Sequence, residues 1–147
     1  MAFHIELRIA RSPKDVFAYL ADSTNTPEWY EAVDRAVPLD AAVVDVGKRY
    51  RFERHLPGGP AVNVVEVAEF EPNRTVTLAS LDGPTPFRYR YTVEDDGGLG
   101  TLLRLEGEIR GDGLRGPVAA LAPLAPALFA RGMRVNMERL KGILEGA

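Results

Sequence analysis

Between residues 48 and 110 the chain carries a series of period-two segments cut by turn sequences, and this pattern restricts the fold more than any other feature. In residues 86–94, Phe87, Tyr89, Tyr91 and Val93 alternate with Arg88, Arg90, Thr92 and Glu94. In residues 101–110, Leu103, Leu105, Gly107 and Ile109 alternate with Arg104, Glu106, Glu108 and Arg110. Successive side chains of a strand point to opposite faces, so each segment has one apolar and one solvated face. Further strands are expected at 33–39, 48–56, 61–70 and 74–81. Between them lie Asp45-Val46-Gly47, Pro57-Gly58-Gly59-Pro60, Glu71-Pro72-Asn73, Asp82-Gly83-Pro84 and Asp95-Asp96-Gly97-Gly98, all turn-forming. Strands joined by such short turns form an antiparallel meander. In 61–70 valines occupy both phases, and its faces are unassigned.

The flanks complete the plan. Phe3, Ile5, Leu7 and Ile9 alternate with His4, Glu6 and Arg8, which predicts a first strand. Ser12 is an N-cap residue before Pro13, with Asp15 placed to complete a capping box, so a helix is expected over 13–21. A second short helix is expected in TPEWYEAV, capped by Thr26. At the other end, Phe129, Met133, Asn136, Met137, Leu140, Ile143 and Leu144 share one helical arc, opposite Arg131, Arg134, Glu138 and Lys141. Pro123 and Pro126 should kink or delimit the start of this helix, which at about 20 residues would run roughly 30 Å.

Composition narrows the function. A chain of 147 residues is expected to form one domain, residues 1–147, burying about two-thirds of its unfolded surface. It has no cysteine, which excludes disulfides, cysteine zinc sites, iron–sulfur clusters and thiol nucleophiles. A net charge of −3 argues against nucleic acid as a partner. The opening segment lacks the apolar run of a secretory signal, and the apolar stretch 117–130 is short for a bilayer span and broken by prolines. A cytoplasmic location is the expectation. No nucleophile motif surrounds Ser12, Ser23 or Ser80. His4 and His55 fall on polar strand phases, so they are read as surface residues and no metal site is expected. Gly111–Gly116 spells GxGxxG, but only a terminal helix follows, so it is read as a loop at a cavity entrance and not as a dinucleotide site.

The ordered set RSPKDVFAYLAD (11–22), PEW (27–29), VGKRYRF (46–52), VAEFEPNRTVTL (67–78) and the 111–145 tail ending in RLKGILE resembles the START-like, helix-grip superfamily. Within it the chain is similar to the bacterial polyketide cyclase/dehydrase-like (SRPBCC) branch. The resemblance implies an α+β, Bet v 1-like fold: a curved antiparallel seven-stranded sheet wrapped around the C-terminal helix, with two short helices after strand 1. It also implies a cavity between sheet and helix for a hydrophobic small molecule, such as a lipid or polyketide; with an apolar inner face and no catalytic motif, no cofactor is expected. Members of the superfamily include aromatase/cyclases, lipid and quinone carriers, hormone receptors and chaperone cofactors, so the resemblance does not name a reaction.

The candidate ligand-binding residues sit on the inward phases. Tyr50, Phe52, Arg54 and Leu56 share one strand face, which points a guanidinium inward. A buried guanidinium needs a carboxylate, a ligand or a route to water. Glu66 or Glu69 on the next strand is the structural partner expected for Arg54. The alternative, implied by the resemblance to cyclases, is a ligand carboxylate or enolate. Phe87, Tyr89 and Tyr91 offer aromatic wall and phenols, and Trp29, the sole tryptophan, is expected at the pocket mouth. On the helix, Phe129, Met133 and Met137 supply apolar lining. Asn136 would bond either a ligand oxygen or a tyrosine hydroxyl. Three functions remain open: hydrophobic-ligand binding, a polyketide cyclase or dehydratase using Arg54 and a tyrosine, and a protein- or membrane-interaction module using Leu124, Leu128 and Val135.

Overall fold

The computed structural model of the chain describes residues 2–114 and 116–146. Its strands are β1 (Ala2–Ile9), β2 (Val33–Pro38), β3 (Arg49–Leu56), β4 (Gly59–Glu71), β5 (Thr75–Ser80), β6 (Phe87–Asp95) and β7 (Thr101–Ile109). They form one antiparallel sheet in the order β1-β7-β6-β5-β4-β3-β2. Each neighbour in that order from β2 to β7 is also the neighbour in sequence, and from β3 to β7 the connections are short hairpin turns. β1 closes on β7 through the register Ile5↔Leu105.

Helix α1 (Pro13–Ala21) starts at Ser12, whose hydroxyl accepts from the Asp15 N–H at 3.2 Å. The expected capping box is not completed: the Asp15 carboxylate turns instead to Arg11, 2.9 Å away. A single 3-10 turn (Ser23–Asn25) leads into α2, which spans only Thr26–Trp29. The expected helix TPEWYEAV is therefore cut short at Tyr30, because Val33 is already paired with Arg54 in the sheet. Pro123 lies in a 3-10 segment (Gly116–Leu124), and α3 (Ala125–Gly146) follows with Pro126 in its first turn. Proline is tolerated there because those N–H groups have no intrahelical acceptor.

The concave face is buried as the alternation predicts: Phe87, Tyr89, Tyr91 and Val93 of β6 and Leu103, Leu105 and Ile109 of β7 are all core. Gly107 shares that face, and the space a Cβ would take is filled by the Phe3 ring. Met133, Met137, Leu140 and Leu144 of α3 pack into the same core. α3 lies against β1, β7 and α2, leaving its approach to the β2–β3 side open. In β4, Asn63, Val65 and Val67 point inward, then a bulge between Val67 and Glu69 resets the phase and brings Phe70 against the core. Valines occur in both phases because Val62 and Val64 stand on the outer face, opposite the buried Val65 and Val67. The convex face is a lattice of ion pairs, among them Arg49–Glu66, Arg51–Glu53, Arg104–Glu6 and Arg104–Glu94. The folded surface is 7514 Å², against about 7,400 Å² from the size scaling of folded chains.

Candidate ligand-binding site

Two spaces lie between the sheet and its helices. The inner one is a cavity of about 10 Å³ enclosed by Leu20, Thr26, Trp29, Tyr30, Val33, Phe52, Arg54, Leu78, Phe87, Tyr89 and Tyr91. The outer one is an open groove of about 680 Å³. Tyr30, Glu31, Ala32, His55, Leu56 and Pro57 form one bank, and α3 forms the other with Leu128, Phe129, Arg131, Gly132, Met133, Val135, Asn136 and Arg139. Tyr30 lines both spaces.

Arg54 is the chemical centre of the inner cavity. It is 2% exposed, and no carboxylate among the described residues lies within 4 Å of its guanidinium. The expected partners are engaged on the convex face: Glu66 with Arg49, and Glu69 with the Thr77 hydroxyl and with Arg88 and Arg90. Arg54 instead donates from Nη1 to Asn63 Oδ1 at 2.7 Å. Asn63 is itself fixed, donating from Nδ2 to the carbonyls of Asp82 (2.8 Å) and Pro84 (2.9 Å) in the β5–β6 loop. The guanidinium carbon sits 5.5 Å from the Phe87 ring centre, a cation–π contact. Among the described residues its Nη2 has no hydrogen-bond partner.

Two other buried polar atoms on the same walls are unbonded, Trp29 Nε1 and Tyr89 Oη. The Tyr89 hydroxyl faces Tyr30 without a well-formed hydrogen bond, and its ring stacks on Phe87 at 4.9 Å between centres. Burial first, then the neighbouring phenol of Tyr30, pushes the Tyr89 hydroxyl well above the ordinary tyrosine range. The same two causes act on Tyr91. Both phenols are therefore proton donors and not bases at neutral pH. Trp29 is wedged between Tyr30 and Tyr91, with ring centres 5.7 Å and 6.4 Å away. Sequence reasoning expected it at a pocket mouth; it is buried in the wall.

The remaining sequence candidates are dispersed. Tyr50 is buried outside both spaces, with the Lys48 ammonium 5.4 Å from its ring centre and its phenol pushed up to about 12, chiefly by burial. Phe129, Met133 and Asn136 face the groove, whereas Met137 is core and lines neither space. Asn136 meets neither a tyrosine hydroxyl nor the inner cavity. Its Oδ1 accepts from the Glu31 N–H at 3.1 Å, and its Nδ2 contacts Met133 Sδ at 3.6 Å, tying α3 to the loop after α2. His4 and His55 are half-exposed, as their strand phases imply, and His55 pairs with Asp34 at 2.8 Å. In the GxGxxG segment, Gly111 packs on Ala122 and Gly113 on Pro84, while Arg115 lies outside the described residues.

Sequence reasoning missed Tyr30 and Asn63. Tyr30 stands beside Trp29 and was hidden by extending the helix through it. Asn63 shares the phase of Val65 and Val67, a signal that Val62 and Val64 in the opposite phase obscured.

A seven-stranded antiparallel sheet gripping a C-terminal helix, with a small and mainly aromatic cavity on its concave face, defines a helix-grip, START-like protein. The family described as polyketide cyclase / dehydrase and lipid transport matches residues 2–145, and the chain belongs to it. Solved structures share the fold. A START superfamily protein from Mycobacterium smegmatis is 16% identical, with 99% of this chain and 97% of that one covered at a TM-score of 0.80. The Zhui aromatase/cyclase from Streptomyces sp. R1128 is 16% identical, with 99% and 94% covered at 0.76. TTHA0849 from Thermus thermophilus is 16% identical, with 97% and 95% covered at 0.77. No curated protein matches the chain in sequence.

Proposed function

We propose that the protein binds a hydrophobic small molecule through an oxygen atom on that molecule. Arg54 and Tyr89 hold the oxygen, and the apolar body lies along the groove beside α3. The observation that carries this reading is the Arg54 guanidinium, buried without a carboxylate and with Nη2 unbonded at the cavity wall. Such a group is a burden to the fold. An acceptor oxygen, best of all an anionic one, relieves it with a charge-assisted hydrogen bond. Trp29 Nε1 and Tyr89 Oη supply further donors on the same walls. The inner cavity is the size of one water molecule, so the ligand enters by displacing Tyr30, the side chain shared with the groove. Native mass spectrometry of the freshly purified chain should reveal a bound small molecule. Titration with 2-naphthoate should change Trp29 fluorescence saturably. A clean apo mass together with an unresponsive Trp29 would sink the proposal.

A second reading rests on Arg54 and Tyr89 sharing one cavity. In a poly-β-ketone substrate, water would take a proton from an acidic methylene between two ketones, Arg54 would stabilise the enolate oxygen so formed, and the enolate carbon would attack a second ketone of the same chain. The phenol of Tyr89, kept protonated by burial, would donate its proton to the alkoxide so formed. Loss of that hydroxyl with an adjacent proton as water, followed by enolisation of the remaining ring ketones, would give an aromatic ring. Incubation with a poly-β-keto thioester should yield a product lighter by one water, and Tyr89→Phe should retain binding while losing turnover. An unchanged substrate mass with the parent protein rules this reading out.

A further inference from the structure

The stretch from Gly116 to Ala130 contains no charged residue and is mostly exposed. By length and composition the helical stretch Gly116–Gly146 would suffice to cross a bilayer. Its second half is committed elsewhere, since Met133, Met137 and Leu140 are core. What remains outside is an apolar ridge: Leu121, Leu124 (59% exposed), Leu128 (51%) and Val135 (58%). At 100° per residue, Leu128 and Val135 lie within about 20° of one another on the outer side of α3, continuing from Leu124 at the end of the 3-10 segment, with Arg131 and Arg139 on either flank and the exposed Glu138 just beyond Arg131.

The charges along this ridge differ from those of the sheet. On the sheet, Arg49, Arg51, Arg88, Arg90, Arg104 and Arg110 each have a carboxylate partner. Arg131, Arg134 and Arg139 are exposed and, among the described residues, make no ion pair or hydrogen bond. On α3 the acidic residues are Glu138 and Glu145, and Glu145 is bound to Lys141 and to the Ala10 N–H. The exposed Val43 and Val46 lack this pattern, since they lie in a loop beside Asp40 and Asp45.

We propose that this ridge docks on the surface of an anionic lipid bilayer. Leu121, Leu124, Leu128 and Val135 enter the boundary between headgroups and acyl chains, and Arg131, Arg134 and Arg139 meet lipid phosphates. An apolar strip flanked by unpaired arginines is the arrangement that binds such an interface, and neither part suffices alone. Leu128, Arg131, Val135 and Arg139 also form a bank of the groove, so docking turns the groove toward the membrane. The docking itself does not depend on what the inner cavity binds.

The test uses the full chain with extruded vesicles of phosphatidylcholine alone or in equimolar mixture with phosphatidylglycerol, separated by flotation. The chain should float with the mixed vesicles, far less with the neutral ones, and salt should release it. Arg131→Gln, Arg134→Gln and Arg139→Gln together should weaken partitioning, by roughly fivefold per arginine. Leu124→Ser with Leu128→Ser should weaken it by roughly tenfold or more. All these positions are exposed, so Trp29 emission and far-ultraviolet dichroism should stay those of the parent. A chain that never floats with the mixed vesicles overturns the proposal, as do variants that float as well as the parent. A dimer in light scattering that the leucine variant abolishes, without flotation, overturns it in favour of a second copy of the chain.

Discussion

Replacing Arg54 by methionine separates the needs of the fold from those of a ligand. The side chains are similar in length, so the substitution removes the charge and keeps most of the packing. On the losing side stands the Nη1 bond to Asn63, about 1.5–3 kcal/mol for a bond to a charged group. The contact with Phe87 adds about 2 kcal/mol in a desolvated setting. On the gaining side stands relief of burying an ion that has no counter-charge, several kcal/mol even after relaxation. These oppose and nearly cancel, so Arg54→Met is expected to shift stability by no more than about 1 kcal/mol. For a chain of this size that is a change in Tm of under about 4 °C. Urea and thermal unfolding followed by far-ultraviolet dichroism measure it. Breaking a buried ion pair that holds the fold costs about 3–5 kcal/mol, which would lower Tm by roughly 10 °C or more. A loss of that size would refute the reasoning, because it would make Arg54 a structural residue.

Three more outcomes follow from the same structure. Tyr50, Tyr89 and Tyr91 all have phenols raised by burial. Above about pH 10 the unfolded chain releases these protons first, so stability is full below that pH. It should then fall by up to about 1.4 kcal/mol per pH unit for each phenol, and urea unfolding between about pH 9 and about pH 11 should show the decline. Asn136→Ala strips the Glu31 N–H of its acceptor and should cost about 1–2 kcal/mol in urea unfolding. Gly83 has φ +89°, and a Cβ there would press on the Val62 carbonyl and come within 2.7 Å of Asn63 Nδ2. Gly83→Ala should therefore cost more than about 1 kcal/mol and, by displacing Asn63, weaken 2-naphthoate binding in the Trp29 titration.

Much of the fold was legible because turn chemistry and alternation agree. Asp82-Gly83-Pro84 and Asp95-Asp96-Gly97-Gly98 bracket β6, whose inward residues are the four that alternation selects. The second helix was overextended because helical pattern continues through Tyr30, while the pairing of Val33 with Arg54 ends it. The site was legible only in part. Periodicity places Arg54, Phe52, Phe87, Tyr89 and Tyr91 on one face, and they do meet around one cavity. It carries no information on which end of a curved sheet a residue occupies, so Tyr50 appeared equivalent and is not. The partner of Arg54 was not legible either. The nearest carboxylates in sequence belong to the convex face, and the actual partner, Asn63, sits where Val62 and Val64 on one phase and Val65 and Val67 on the other leave the inward face unmarked. Asn136 looked like a polar residue in search of a ligand, because the helix arc gives no hint of the Glu31 amide facing it.

The central claim is that Arg54 exists to hold a ligand oxygen, and paired titrations of two ring systems test it most directly. Trp29 fluorescence would follow 2-naphthoate and 2-methylnaphthalene with the parent chain and with Arg54→Met. A charge-assisted hydrogen bond from Nη2 predicts that the substitution weakens naphthoate by roughly ten- to a hundredfold, while 2-methylnaphthalene changes by less than about twofold. If both ligands weaken alike, or neither weakens, the buried guanidinium is not a ligand-oxygen site and the account is contradicted.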